Sequence, residues 1–507
     1  MRTGTPQPYQ VSAEQFDGLT AAEAADLREL LRVWNDKLGG NSRNVRYYKG
    51  RNRLKDLGIA IPPALTGMNV TVGWPAKAVD ALAVRSVFEG VSTGTSDDAW
   101  LSKVLRDNDF ALSYSQAVTS ELIGSCAFAT VSSGVGDEPE VLINFYSPLT
   151  SSALWDVRRK CIRCGMTVSD YETRSDGVCE PLAVNYYTSG YVIKCEKTNG
   201  KWRTERVANP VGRPLMEPLR YRPSLERPFG KSRISKAVRD IADEAMRTVV
   251  RMEVSAELYT APQRYLLGAD ENTFKSDDAD ERATKVRSYF GSIFAATTNE
   301  NGDIPQYGQL AQMTMQPHMD MLQSLAMRFA GETGVPVSSL GVSHDNPMSA
   351  EALRAMSEDL VIEAEALNAT NGASIENVAR IALALRDGKT MRETVAGYPD
   401  LYADFRNPMR PTKAATTDSS QKEVAMFPWM AEEDGAVEIL LAEQGYNKSQ
   451  VAQLMKAKRS HDAQAALAEV LNVNEQAGSG SVPGAADGGE GGGRGGGREA
   501  AGNEAAA

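Results

Sequence analysis

Through residues 349–387, Leu353, Met356, Leu360, Ala364 and Leu367 recur at three- and four-residue intervals. That spacing lines one face of an α-helix. After a softer patch at Asn371 and Gly372 the stripe resumes at Ile375, Val378, Ile381 and Leu385. Pro347 bars helix before it, Ser349 is a good N-cap and Gly388 supplies the stop. The pattern predicts one helix roughly 55 Å long at 1.5 Å per residue. Its solvent side reads as acidic: Glu351, Glu358, Asp359, Glu363, Glu365 and Glu376. A shorter helix is predicted over 317–333, and the Gly/Pro/Ser segment 335–348 joins the two. A helix, an irregular loop and a long helix, with no catalytic constellation nearby, point to a mechanical element.

A further helix is predicted from Lys231 or Ser232 to about Thr260, with Ile234, Val238, Ile241, Ala245, Val249 and Met252 as its stripe and Pro262 as its end. Arg233, Lys236, Arg239, Arg247 and Arg251 alternate with Asp240, Asp243, Glu244, Glu253 and Glu257, the texture of a solvated or subunit-facing surface. Between 261 and 310, strand-like QRYLLG and SIFAAT flank a helical stretch. Near the N-terminus, Ser12 and Gln15 make a plausible capping box, and a helix is expected from Ala21 to Lys37. Tyr47 to Pro63 reads as a connection. Helices near 77–87 and 111–124 are separated by the Gly/Ser/Thr/Asp stretch 90–98. From 130 to 219, short runs such as VLINFY, AVNYYTS and YVIKCE alternate between turn residues, as antiparallel hairpins do. Trp155 and Trp202 read as packing residues there. Residues 398–429 read as extended, and 432–443 and 449–470 as helical. The Gly/Ala-rich segment from Glu475 onward is expected to be disordered, like residues 1–11.

The chain has 507 residues, enough for two to four domains, and its 42% hydrophobic and 24% charged content is ordinary for a globular protein. No apolar run of membrane-spanning length occurs, and MRTGTPQPYQVSAEQ lacks the apolar core of a secretory signal. Five cysteines, an odd number, suit a reducing compartment. CIRCG at 161–165 resembles half a zinc ribbon without a second close pair, so no metal is expected. The net charge of −11 argues against a duplex-gripping regulator and is acceptable in a conduit along which a duplex slides. GKS at 230–232 is a fragment of a phosphate loop, but Leu225 stands where the pattern needs glycine. The three histidines, His318, His344 and His461, lack partners at metal-ligand spacing. No catalytic residue and no cofactor is expected.

PFGKSRISKAVRDIADEAMRTVVRMEVSAELYTAPQRYLLGAD at 228–270 resembles the first stem helix and start of the clip of tailed-phage portal proteins, those of siphoviruses of actinobacteria above all. GETGVPVSSLGVSHDNPMSAEALRAMSEDLVIEAEALN at 331–368 resembles their second stem-helix end, tunnel loop and wing helix, and GWPAKAVDALAVRSVFEGV at 73–91 their N-terminal wing. The resemblance spans about 20 to 470, in order. It implies an α+β portal fold: wing 21–228, stem helix 229–260, small α/β clip 261–310, stem helix 311–334, tunnel loop 335–348, long kinked wing helix and return 349–430, and helical crown 431–474. Val342, Ser343, His344, Asp345 and Asn346 would face the DNA channel, and Arg239, Arg247 and Arg251 would lie on the stem. Such a protein forms a homo-oligomeric ring at one capsid vertex. It passes double-stranded DNA and meets the terminase large subunit, the head–tail connector, and the major capsid and scaffolding proteins, with no membrane and no enzymatic step of its own. The alternatives are a nucleotide hydrolase built around Lys231 and another virion component such as a capsid or connector protein.

Overall fold

The computed structural model describes residues 16–52, 70–173, 179–198, 201–260, 264–267, 304, 306–309, 314–342, 355, 357–409, 413–446 and 448–478. Two compact units result, 1–409 and 410–507. The first opens with α1 (Ala21–Tyr48), begun by a capping box between Thr20 and Glu23. Its face Leu27, Leu30, Leu31, Trp34 and Leu38 is buried. The helix runs eleven residues past Lys37, straight through Gly39 and Gly40. Each glycine costs a helix up to about 1 kcal/mol. Tertiary anchors offset this: Asn41 Nδ2 donates to Pro148 O at 3.2 Å and Asn44 Nδ2 to Ile123 O at 3.2 Å. Ser12, Gln15 and the proline pair near 62 lie outside the described residues.

The predicted hairpins are present. Strands β4 (Ser151–Asp156), β5 (Cys161–Thr173), β6 (Cys179–Tyr187), β7 (Tyr191–Thr198) and β8 (Lys201–Ala208) form an antiparallel sheet in sequence order. α1 covers one face of it around a core that includes Phe16, Tyr186 and the fully buried Trp202. Cys161 and Cys164 lie on the single strand β5, paired with Asp156 and Leu154 on either side of a bulge in the β4–β5 ladder. All five cysteines are free thiols, and burial pushes that of Cys164 up to about 12.

A second core gathers the rest of the unit. α2 (Trp74–Ala83) ends earlier than expected, because Val87 leads into β1 (Phe88–Ser92), which pairs with β12 (Tyr402–Phe405). The stretch 90–98 is followed by a helix the pattern had not singled out, α3 (Asp98–Asp107), and then α4 (Phe110–Gly124). A three-stranded antiparallel sheet has β2 (Cys126–Ser133) between β3 (Val141–Tyr146) and β9 (Met216–Arg220). α5 (Lys236–Thr260) starts four to five residues later than the pattern placed it, where the Ser235 hydroxyl accepts the Val238 amide at 3.1 Å. β10 (Arg264–Leu267) pairs with β11 (Gln306–Gln309), and α6 (Gln316–Thr333) returns antiparallel to α5. Ser235–Glu332 at 3.1 Å and Glu244–Arg328 at 2.9 Å pin the two helices together. SIFAAT and the helical stretch before it lie outside the described residues.

α7 (Glu358–Asp387) crosses the main core and stops at left-handed Gly388. Its N-cap is Ser357; Ser349, Leu353 and Met356 are outside the described residues. The soft patch does not interrupt it. Asn371 is fully buried, and Gly372 lets the Phe405 ring approach to 3.3 Å of where a Cβ would stand. α8 (Met391–Gly397) follows. The segment 398–429, read as extended, is strand only at β12 and helical over α9 (Lys413–Met426), since nothing from Lys413 to Met426 breaks a helix. In the second unit, α10 (Asp434–Glu443) meets α11 (Lys448–Gly478) through Lys458–Asp434 at 2.7 Å. α11 runs past Val470, into the stretch expected to be disordered.

Candidate functional site at the root of the inserted loop

α6 and α7 are joined by the loop singled out above. Its first part is not free. Val335, Val337 and Leu340 are buried, and Trp74 Nε1 donates to Leu340 O at 3.1 Å. Val342, placed in the channel-facing loop by the sequence, is half-buried against the main core. Ser343, His344, Asp345 and Asn346 lie outside the described residues.

At the end of α6, where the loop begins, one side chain holds four segments. Arg233 is 6% exposed. Its Nε donates to Ala78 O of α2 at 2.6 Å, its Nη2 to Thr333 O at the end of α6 at 2.6 Å, and its Nη1 to Tyr221 Oη at 2.9 Å. Nη1 also lies 2.5 Å from Glu363 Oε2 on α7. Glu363 accepts the Tyr221 hydroxyl and pairs with Arg222 at 3.1 Å. Burial, partly countered by Arg233, pushes the Tyr221 phenol up to about 12, so it remains a donor to the carboxylate. Glu363 is therefore not on a solvated acidic face, and Arg233 is not on a solvated basic one. Both were misread because three-four spacing locates a helix face without saying what covers it. Gly334, left-handed at φ +66°, turns the chain beside Asp359 and Leu360 of α7.

A cleft of about 540 Å³ opens over this clamp, lined by Arg222, Lys231, Ser235, Glu332, Asp359 and Glu363 among others. Lys231 and Ser232 of the GKS fragment line the cleft, but the amides of Gly230 and Lys231, and of Arg233 just beyond, are engaged. Gly230 N donates to Arg227 O at 2.9 Å, Lys231 N to Tyr221 O at 3.0 Å and Arg233 N to Leu122 O at 2.8 Å. A Cβ on Gly230 would fall 2.1 Å from Tyr221 O, so this glycine serves a tight crossing rather than a phosphate cradle. No group of three or more His, Cys, Asp or Glu among the described residues could hold a metal.

The three stem arginines have different surroundings on α5. Arg239 Nη1 donates to Asn44 Oδ1 at 2.9 Å and to Ile234 O at 2.7 Å, and burial lowers its pKa. Arg247 is half-buried with its Nε unpartnered among the described residues, and Arg251 is exposed.

A second buried polar site lies farther along α7. Glu121 of α4 is fully buried, and its Oε2 accepts Asn371 Nδ2 at 2.8 Å while Oε1 has no partner among the described residues. Burial pushes its carboxyl up to about 8. Glu217 on β9 contacts Arg213 and is also pushed up by burial, to about 7. Arg220 stacks over Trp155 at 5.0 Å, and burial lowers its pKa. No spacing in the sequence marks Glu121 as buried; the one available signal is Asn371 on an otherwise apolar stripe.

Antiparallel sheets packed against long helices, with the loop between α6 and α7 clamped at its start by Arg233, make up the first unit. The chain belongs to the family "Phage portal protein, SPP1 Gp6-like", whose model matches residues 28–428. It is similar to the portal protein of Mycobacterium phage D29, 27% identical over 414 residues that cover 78% of this chain and 81% of the relative. The portal protein of Mycobacterium phage L5 is 27% identical over 409 residues, 78% and 80% of the two chains. Among solved structures, a chain in the neck of an empty GTA particle computed with C6 symmetry matches at a TM-score of 0.41 and 11% identity, over 76% of this chain and 89% of that one. A chain in the neck of a native GTA particle computed with C12 symmetry matches at 0.37 and 11%, over 77% and 95%. No helix among the described residues is long and apolar enough to cross a membrane.

Proposed function

We propose that this portal protein forms a closed ring of about twelve copies at the unique capsid vertex, a heterologous assembly of cyclic symmetry. Double-stranded DNA passes through the ring during packaging and ejection. α5 and α6 act as stem helices lining the channel. Residues 261–310 form the clip that docks the terminase large subunit and later the head–tail connector, and 431–474 form the crown. The wing faces the major capsid and scaffolding proteins. Assembly takes place in the host cytoplasm. ATP hydrolysis belongs to the terminase, and contacts to DNA are to phosphates, without base readout.

The observation that carries this reading is the Arg233 clamp. A loop that meets a moving duplex needs a rigid root, and Arg233 joins α2, β9's exit, α6 and α7 at that root. Deleting 343–346 leaves every residue of the clamp in place. Rings with a central hole should persist in negative-stain images, while packaging or retention of DNA falls. Loss of rings on that deletion would contradict the assignment.

A further inference from the structure

The two outer edges of the β3-β2-β9 sheet are finished differently. On β2, Val131 N donates toward β9, to Leu215 O at 3.1 Å, so odd-numbered residues of β2 face β9 and even-numbered ones face β3. The outward groups of β9 are sealed by α7: Ser374 Oγ donates to Pro218 O at 2.7 Å, and Arg220 N donates to Asn371 Oδ1 at 3.3 Å. Pro218 has no N–H to satisfy.

On β3 the outward residues are Val141, Ile143 and Phe145. Asn108 acts as a one-residue surrogate strand, donating to Val141 O at 2.8 Å and accepting from Ile143 N at 2.8 Å. Beyond it the carbonyl of Ile143 and both backbone groups of Phe145 meet no partner among the described residues. They open onto a groove of about 510 Å³. Its other wall is one face of α4, where Asp109, Ser113, Gln116, Ala117 and Ser120 recur at three- and four-residue intervals. The open part of the edge, from the Ile143 carbonyl to Phe145, is roughly 7 Å long at 3.4 Å per residue, since Ser147 O already accepts from Thr150 N and Ser151 Oγ. A groove between a free strand edge and a helix has the shape that accepts an added strand.

The groove carries charge of one sign. Asp107 and Asp109 line it, neither makes an ion pair among the described residues, and no Lys, Arg or His lines it. We propose that this groove binds an extended segment of a partner protein, which pairs with β3 as an added strand and sets a lysine or arginine against Asp107 and Asp109. The small polar side chains of Ser113 and Ser120 leave room for short residues on the segment's helix-facing side.

The test uses the full chain and three fluorescein-labelled hexapeptides: Lys-Thr-Val-Thr-Val-Thr, its Glu-first twin and a backbone N-methylated twin of the first. Fluorescence anisotropy should show the lysine peptide binding, with each twin at least about tenfold weaker. Ser113→Trp fills the groove and should abolish binding, while exposed Asp107→Lys should weaken the lysine peptide and strengthen the Glu-first one. An N-methylated twin that binds equally well overturns the added strand. So does undiminished binding to Ser113→Trp, or no binding of the lysine peptide below about 1 mM. A change of oligomer size in Asp107→Lys would assign the groove to a second copy of the chain and also overturn the proposal.

Discussion

α7 carries two buried polar sites about 12 Å apart along its axis, counting 1.5 Å for each residue from Glu363 to Asn371. They handle buried charge in opposite ways. At Glu363 a carboxylate is matched by Arg233, Arg222 and the Tyr221 hydroxyl. At Asn371 the carboxyl of Glu121 meets an amide, and burial favours its protonated form. The first site binds four segments through ionic contacts whose desolvation offsets much of their attraction, so its worth lies in geometry. The second lets the sheet edge, α4 and α7 pack closely without a net charge inside. Position follows use: the ionic site sits where a loop must be held, the neutral one where layers must merge.

The largest effect expected is from breaking the ionic site. Arg233→Met leaves Glu363 only the exposed Arg222 and the Tyr221 hydroxyl, and should lower the unfolding free energy of the full chain, measured in denaturant, by about 3 kcal/mol. Adding Glu363→Leu should restore most of that loss. A neutral single substitution would erase the contrast between the two sites.

A pH series sharpens the contrast from the other side. Glu121 titrates at about 8 and Glu217 at about 7 in the folded chain, against an ordinary value of 4.5. Between 4.5 and those values the folded state holds protons that the unfolded chain releases. Their contribution is fully present below pH 4.5 and declines as pH rises through about 7 and 8, by about 1.4 kcal/mol per pH unit for each carboxyl. Glu121→Gln should remove its share of that slope and raise the thermal midpoint at pH 8. An unchanged slope would mean that Glu121 is ionised when folded. The smallest effect expected is from Ser374→Ala, which leaves Pro218 O without its 2.7 Å donor and should lower stability by about 1 kcal/mol by the same denaturant measurement.

Much of the architecture was legible. The stripes at Leu27 to Trp34 and Ile375 to Leu385, and the stop at Gly388, mark helices that are present, and alternation marks the hairpins from Val141 to Ala208. What failed did so for stated reasons. Two glycines did not end α1, because cross-chain hydrogen bonds from Asn41 and Asn44 carry it onward. α3 was overlooked because it is only ten residues long and buries only Leu101 and Val104, with Trp100 and Leu105 partly covered. Arg233 and Glu363 were read as solvated, since each looks like any charge on a helix flank until the elements between them are folded together.

Periodicity, caps and breakers therefore determined most of the helices and strands, because those signals act within a few residues along the chain, while the resemblance of three segments marked the portal family. Which polar residues are sealed in, which carboxyl is neutral, and which strand edge is left open were decided only by tertiary structure. Burial and pairing depend on neighbours such as Arg233 and Glu363, 130 positions apart by number, whose approach no local pattern records.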